Sequence, residues 1–119
     1  MVTKFNKVSA SLAAFMLLLG ISASVFAGEY DGVWTLDDSN GKPFTATLST
    51  DGTASGTHNT SLKHGTWKEQ DGKAVISWTT GWTTIIAKDG DKYTKQAFKP
   101  GAKLTDKPTN TSSAVKKSQ

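Results

Sequence analysis

Trp78 and Trp82 stand on either side of Thr79-Thr80-Gly81. Two indoles flanking a tight turn sit near one rim of the sheet they belong to. There a flat apolar face can wall a ligand site, stacking on an apolar or sugar-like ring. Thr80, in the same turn, offers a hydroxyl. Trp67 and Tyr93, on neighbouring segments, add aromatic surface. The candidate ligand-binding residues are therefore Trp67, Trp78, Thr80, Trp82 and Tyr93. Core packing competes for the same side chains. Burying one tryptophan removes about 150 Å² or more from water, worth about 4 kcal/mol before entropy is counted. Trp34 and Trp67, which lie mid-strand, read first as core.

The remaining reactive residues form weaker patterns. His58 and His64 are six apart across a loop, with Asp51 the nearest candidate third ligand, and two loop histidines are more often unliganded than metal-bound. Asp51, Asp71 and Asp89 sit in Asp-Gly pairs, where they serve turn geometry. Glu29, Asp31, Asp37 and Asp38 gather near the first strand, but nothing there specifies the separation that carboxylate-pair hydrolysis needs. No serine lies in a G-x-S-x-G context. The sequence thus points to no catalytic residue, no metal and no cofactor.

The elements that position the aromatics are short and alternating. Tyr30, Gly32, Trp34 and Leu36 share one face at the strand period of two, as do Phe44, Ala46 and Leu48. Further strands are expected over Thr53–His58, Lys63–Gln70, Ala74–Trp78, Trp82–Lys88 and Asp91–Phe98, with a loop over Asn59–Leu62. Asn40-Gly41, Asp51-Gly52, Asp71-Gly72, Thr80-Gly81 and Asp89-Gly90 are hairpin turns. Connections this short cannot cross a sheet, which favours a meander over a Greek key. The expected fold is all-β, a small antiparallel meander barrel or strongly curled sheet of about seven to eight strands over residues 28–98.

The flanking segments differ in character. Lys4 and Lys7 precede the apolar run Leu12–Ile21, and Val25-Phe26-Ala27 suits a signal peptidase, so residues 1–27 read as a secretory signal. The run is well short of the ~20 residues a spanning helix needs, and no membrane span is expected after cleavage. Lys99–Gln119 is rich in Lys, Pro, Ser and Thr and reads as an extended or disordered tail, with Leu104 able to dock on a barrel end. Short leader and absent cysteine together point to export to a bacterial periplasm or the extracellular space.

The chain has 119 residues, a formal net charge of +4 and no cysteine. Without Lys4 and Lys7, twelve lysines face ten acids, a net charge of about +2. Every basic residue is lysine; arginine, the preferred residue for bidentate phosphate and base contacts, is missing. Nucleic-acid binding is therefore not expected. With no disulfide available, the fold must hold by closed pairing, aromatic burial or self-association, which leaves a homo-oligomer open. Asn59-Thr60-Ser61 and Asn110-Thr111-Ser112 match the N-glycosylation pattern, which has meaning only on a eukaryotic secretory route.

Gly32-Val33-Trp34 resembles the Gly-x-Trp that opens calycin barrels, the lipocalin and avidin-like proteins. The likeness runs over Asp31–His58: a Thr-containing strand, Asp51-Gly52, then Gly56-Thr57 followed by a ring. It implies a meander barrel with a ligand mouth at one end. His58 stands where avidin-like proteins have a tyrosine that helps polarise the biotin ureido group, so biotin binding does not carry over. The leading functional reading is a non-enzymatic binding protein with an aromatic rim for a small apolar or sugar-like ligand or a protein surface. The alternatives are a structural or inhibitory envelope protein with a solid core, acting through its outer surface and tail, and a small hydrolase using Asp31.

Overall fold

A computed structural model describes residues 28–58 and 60–118; the leader read at the N-terminus lies outside them. Eight strands follow one another: β1 (Gly32–Asp37), β2 (Pro43–Leu48), β3 (Thr53–His58), β4 (Ser61–Gln70), β5 (Lys73–Trp78), β6 (Thr83–Asp89), β7 (Lys92–Phe98) and β8 (Asn110–Ser118). Each pairs antiparallel with the next, and β8 pairs with β1, so the sheet closes as an up-and-down barrel. The turn dipeptides place themselves as their chemistry requires, with positive φ at Gly41, Gly52, Gly72, Gly81 and Gly90. Closure removes every open edge, which is how a small barrel without disulfides hides its backbone donors and acceptors.

Two expectations are corrected. The segment read as a tail from Lys99 supplies the closing strand, and 99–109 is an ordered connection bonded at Thr109 N to the Ala97 carbonyl (2.7 Å) and at Lys99 N to Thr109 Oγ1 (3.0 Å). The loop expected over Asn59–Leu62 is shorter, since β4 begins at Ser61. Neither β8 nor the start of β4 alternates apolar with polar residues: the inward Asn110, Ser112 and Lys116 of β8 meet polar groups instead of core, and the start of β4 is largely exposed.

The interior is apolar, built from Trp34, Leu36, Ala46, Leu48, Ala54, Ala74, Ile76, Trp78, Ile86 and Ala114. Up-and-down connectivity puts the turns at 38–42 and 79–82 and the 99–109 connection at one end. The turns at 49–52, 71–72 and 90–91 lie at the other, with the N-terminal segment. That second end is plugged by aromatic rings, with a hollow of about 310 Å³ beside the plug, between Tyr30, Asp31, Trp67 and Glu69. Tyr30 is fully buried, stacks on Trp34 at 6.1 Å between centroids and donates from its hydroxyl to the Gly72 carbonyl (2.6 Å). Trp34 Nε1 donates back to the Tyr30 carbonyl (2.8 Å), and Tyr93 meets both rings edge-on, at 4.9 Å from Trp34 and 5.9 Å from Tyr30.

The closed end has a titration signature. The Tyr93 hydroxyl donates to Glu29 Oε2 (2.7 Å), and this bond, with burial and the Glu29 charge, pushes its pKa up to about 12. Burial raises Tyr30 as well, helped by the charge of Glu29. A phenol whose folded pKa is raised releases its proton first in the unfolded chain. Stability is therefore lost as pH climbs from the ordinary value of 10 through the folded one. Phenolate absorbance of both tyrosines is expected to lag well behind pH 10 in the native protein. An ordinary midpoint near 10 for Tyr93 would mean that its bond to Glu29 is not made.

Candidate functional site

The opposite end holds a cavity of about 310 Å³. One wall is aromatic. Trp78, the last residue of β5, points inward and is almost fully buried; its Nε1 donates to Thr84 Oγ1 on β6 (2.9 Å). Phe44 of β2 meets it edge-on at 5.6 Å between centroids. Gly56 of β3 permits that approach: a Cβ there would lie 2.5 Å from the Phe44 ring and 3.0 Å from the Trp78 indole. Trp82, half-buried, caps the same wall from the turn. Trp78 N donates to the Trp82 carbonyl and Gly81 N to the Trp78 carbonyl, both at 2.9 Å. Pro100 presses on that turn, 3.2 Å from where a Gly81 Cβ would stand.

The facing wall is polar. Alternation along β7 points Tyr93, Lys95 and Ala97 inward, and Lys95 reaches the cavity while staying 3% exposed. Its Nζ donates to Asn110 Oδ1 on β8, and Asn110 Nδ2 donates to Ser39 Oγ (3.0 Å). Burial pushes the Lys95 ammonium below the ordinary lysine range, and the Asp37 and Asp38 carboxylates pull it partly back. Asp38, in the β1–β2 turn, accepts from the Lys42 and Asn40 amides (2.8 Å each) and contacts His58 Nε2. The amides, Lys42 N foremost, and His58 hold its carboxyl below the usual range. His58 also lies edge-on to Phe44 at 6.3 Å, which joins the two walls.

No family model, curated protein or solved structure matches this chain.

The structure brings together three of the five residues marked from sequence. Trp78, Thr80 and Trp82 all line the cavity. Trp67 and Tyr93 are at the other end: Trp67 Nε1 donates to the Ser49 carbonyl (2.7 Å) beside the β2–β3 turn, and Tyr93 belongs to the closed-end aromatic cluster. The histidine pair separates, with His58 facing the cavity and His64 exposed on the outer side of β4. Asn110, noted only as a sequon, has its side chain committed inside the mouth. Phe44, Lys95 and the Asp38–His58 pair were missed as site residues. Strand parity held a signal for Lys95, since Tyr93, Lys95 and Ala97 share a face whose other members are apolar.

Proposed function

We propose that the chain is an exported, non-enzymatic binding protein of calycin-like build, whose open mouth takes a small ligand with a flat apolar or sugar-like face. The observation that carries this reading is the mouth cavity itself. Its volume falls at the lower end of ordinary ligand pockets, and it sets an aromatic wall of Phe44, Trp78 and Trp82 against a few convergent polar groups. The opposite end is filled by Tyr30, Trp34 and Tyr93, and the hollow of similar volume beside them sets Trp67 against Asp31, Lys68 and Glu69 without a second indole to complete an aromatic wall. The interior is apolar and the outer face carries threonines, serines and lysines, the reverse of a membrane barrel. Export, to a periplasm or beyond, rests on the leader-like residues 1–27.

Two features weigh against a solid-core envelope protein acting through its tail. The cavity is one, and the place of 110–118 in the barrel wall is the other.

Intrinsic tryptophan fluorescence tests the reading. A panel of ring-bearing small molecules is expected to contain members that shift or quench emission. Trp82→Ala is expected to weaken their binding roughly tenfold or more, the usual cost of losing a central aromatic contact. The fold should survive, because Trp82 is half-buried in a turn. A panel without any response, or one whose response ignores Trp82, ends the proposal.

A further inference from the structure

Lys95 is the group in the mouth that the aromatic wall does not explain. An ammonium carries three donors and no acceptor. Among the described residues the one hydrogen-bond partner of Nζ is Asn110 Oδ1, a neutral oxygen, and no carboxylate lies within ion-pair distance. Lys95 is 3% exposed. A buried charge of this kind is ordinarily paired, since removing an ion from water costs several kcal/mol. The nearby acids do not supply the pairing. Asp38 is committed to two backbone amides and His58, while Asp37 acts on Lys95 only through space.

We infer that the mouth selects ligands bearing a single anionic group, a carboxylate or sulfonate, seated on Lys95 Nζ with the ligand's apolar body against Phe44, Trp78 and Trp82. This rests on the binding reading above and narrows it. Two ammonium donors remain beyond the bond to Asn110, on a side chain that lines the cavity, so an oxyanion there completes the lysine and loses little by leaving water. A single charge is the limit because Asp37 and Asp38 line the same cavity and repel further negative charge. Lys63 and His58 also line it; both stand on the β3–β4 side, whereas Lys95 is bonded to the β8 wall. Asn110 acts as a positioning residue, fixing Nζ while Ser39 fixes its amide.

The test uses two dyes that share one ring body. 8-Anilinonaphthalene-1-sulfonate carries the anion; N-phenyl-1-naphthylamine lacks it. Both are titrated into the wild-type protein, Lys95→Met, Lys95→Gln and Trp82→Ala, with circular dichroism to verify the fold. The sulfonate is expected to bind the wild type more tightly than the neutral dye. Lys95→Met should weaken the sulfonate roughly ten- to a hundredfold, the worth of a charge-assisted bond, and leave the neutral dye unchanged or tighter. Lys95→Gln, which keeps a donor, serves if the methionine variant does not fold and should show the same loss for the sulfonate alone. If sulfonate affinity survives either folded variant, or both dyes weaken equally, the anion site is wrong. If neither dye depends on Trp82, the binding reading itself falls, independently of Lys95.

Discussion

A chain ended after Thr109 is expected to lose its cooperative fold. β8 is paired on both sides, to β7 from Tyr93↔Ala114 through Ala97↔Asn110 and to β1 from Val33↔Ser118 through Thr35↔Val115. Its removal opens two sheet edges at once and exposes the interior where Ala114 is now buried. It also takes away Asn110, the partner of Lys95, and Lys116, whose Nζ donates to the Glu29 carbonyl (2.9 Å) and lies 5.9 Å from the Trp34 ring. At about 1 kcal/mol for each net backbone bond, two ladders amount to several kcal/mol. That is comparable with the whole stability of a small domain, about 5–15 kcal/mol. The truncated chain should show no sharp urea transition and should aggregate through its free edges. A truncated protein with a cooperative transition within about 1 kcal/mol of the full chain would show that β8 is an accessory strand.

The contrast with β1 to β7 explains what could be read from the residues alone. Hairpin chemistry is local: Asn40-Gly41, Asp51-Gly52, Asp71-Gly72 and Asp89-Gly90 each specify a positive φ, and the register of the flanking strands follows from it. The turn at Thr80-Gly81 fixed Trp78 and Trp82 at one end together for the same reason. β8 has no such marker. It is reached by a connection of eleven residues, Lys99 to Thr109, and its inward positions include Asn110, Ser112 and Lys116, polar because they face the mouth and the N-terminal segment. An apolar alternation cannot reveal a strand whose partners are polar. The end at which an inward residue sits follows from meander alternation where it adjoins a turn: Tyr93, just after the 90–91 turn, must lie opposite the 79–82 turn. Only Trp67, well inside ten-residue β4, needs the pairing of β4 with β5 to fix its level. Lys95 was hidden by a sound rule, since lysines are rarely buried, and exceptions to that rule concentrate where a protein binds something.

Trp34→Ala is expected to cost about 3–5 kcal/mol, the range for removing a large buried aromatic. Trp34 has no exposed surface and ties three parts of the closed end together. It stacks on Tyr30, receives the edge of Tyr93 and bonds through Nε1 to the Tyr30 carbonyl, so it is one of the main holds on the N-terminal segment, beside the Tyr30–Gly72, Tyr93–Glu29 and Lys116–Glu29 bonds. Trp34→Phe keeps much of the ring and leaves the Tyr30 carbonyl without its donor, which should cost about 1–3 kcal/mol. Urea denaturation separates the two effects. A double-mutant cycle with Tyr30→Leu should return a coupling of about 0.5–1.5 kcal/mol for the stacked pair. The mouth lies at the far end, and its wall is made by other residues. The phenylalanine variant should therefore keep the Trp82-dependent fluorescence response in full, while the alanine variant keeps it at low denaturant and loses it at the lowered midpoint. A cost below about 1 kcal/mol for Trp34→Ala would mean that the aromatic seal is not what closes this end. The aromatic plug would then not be what distinguishes this end from the mouth.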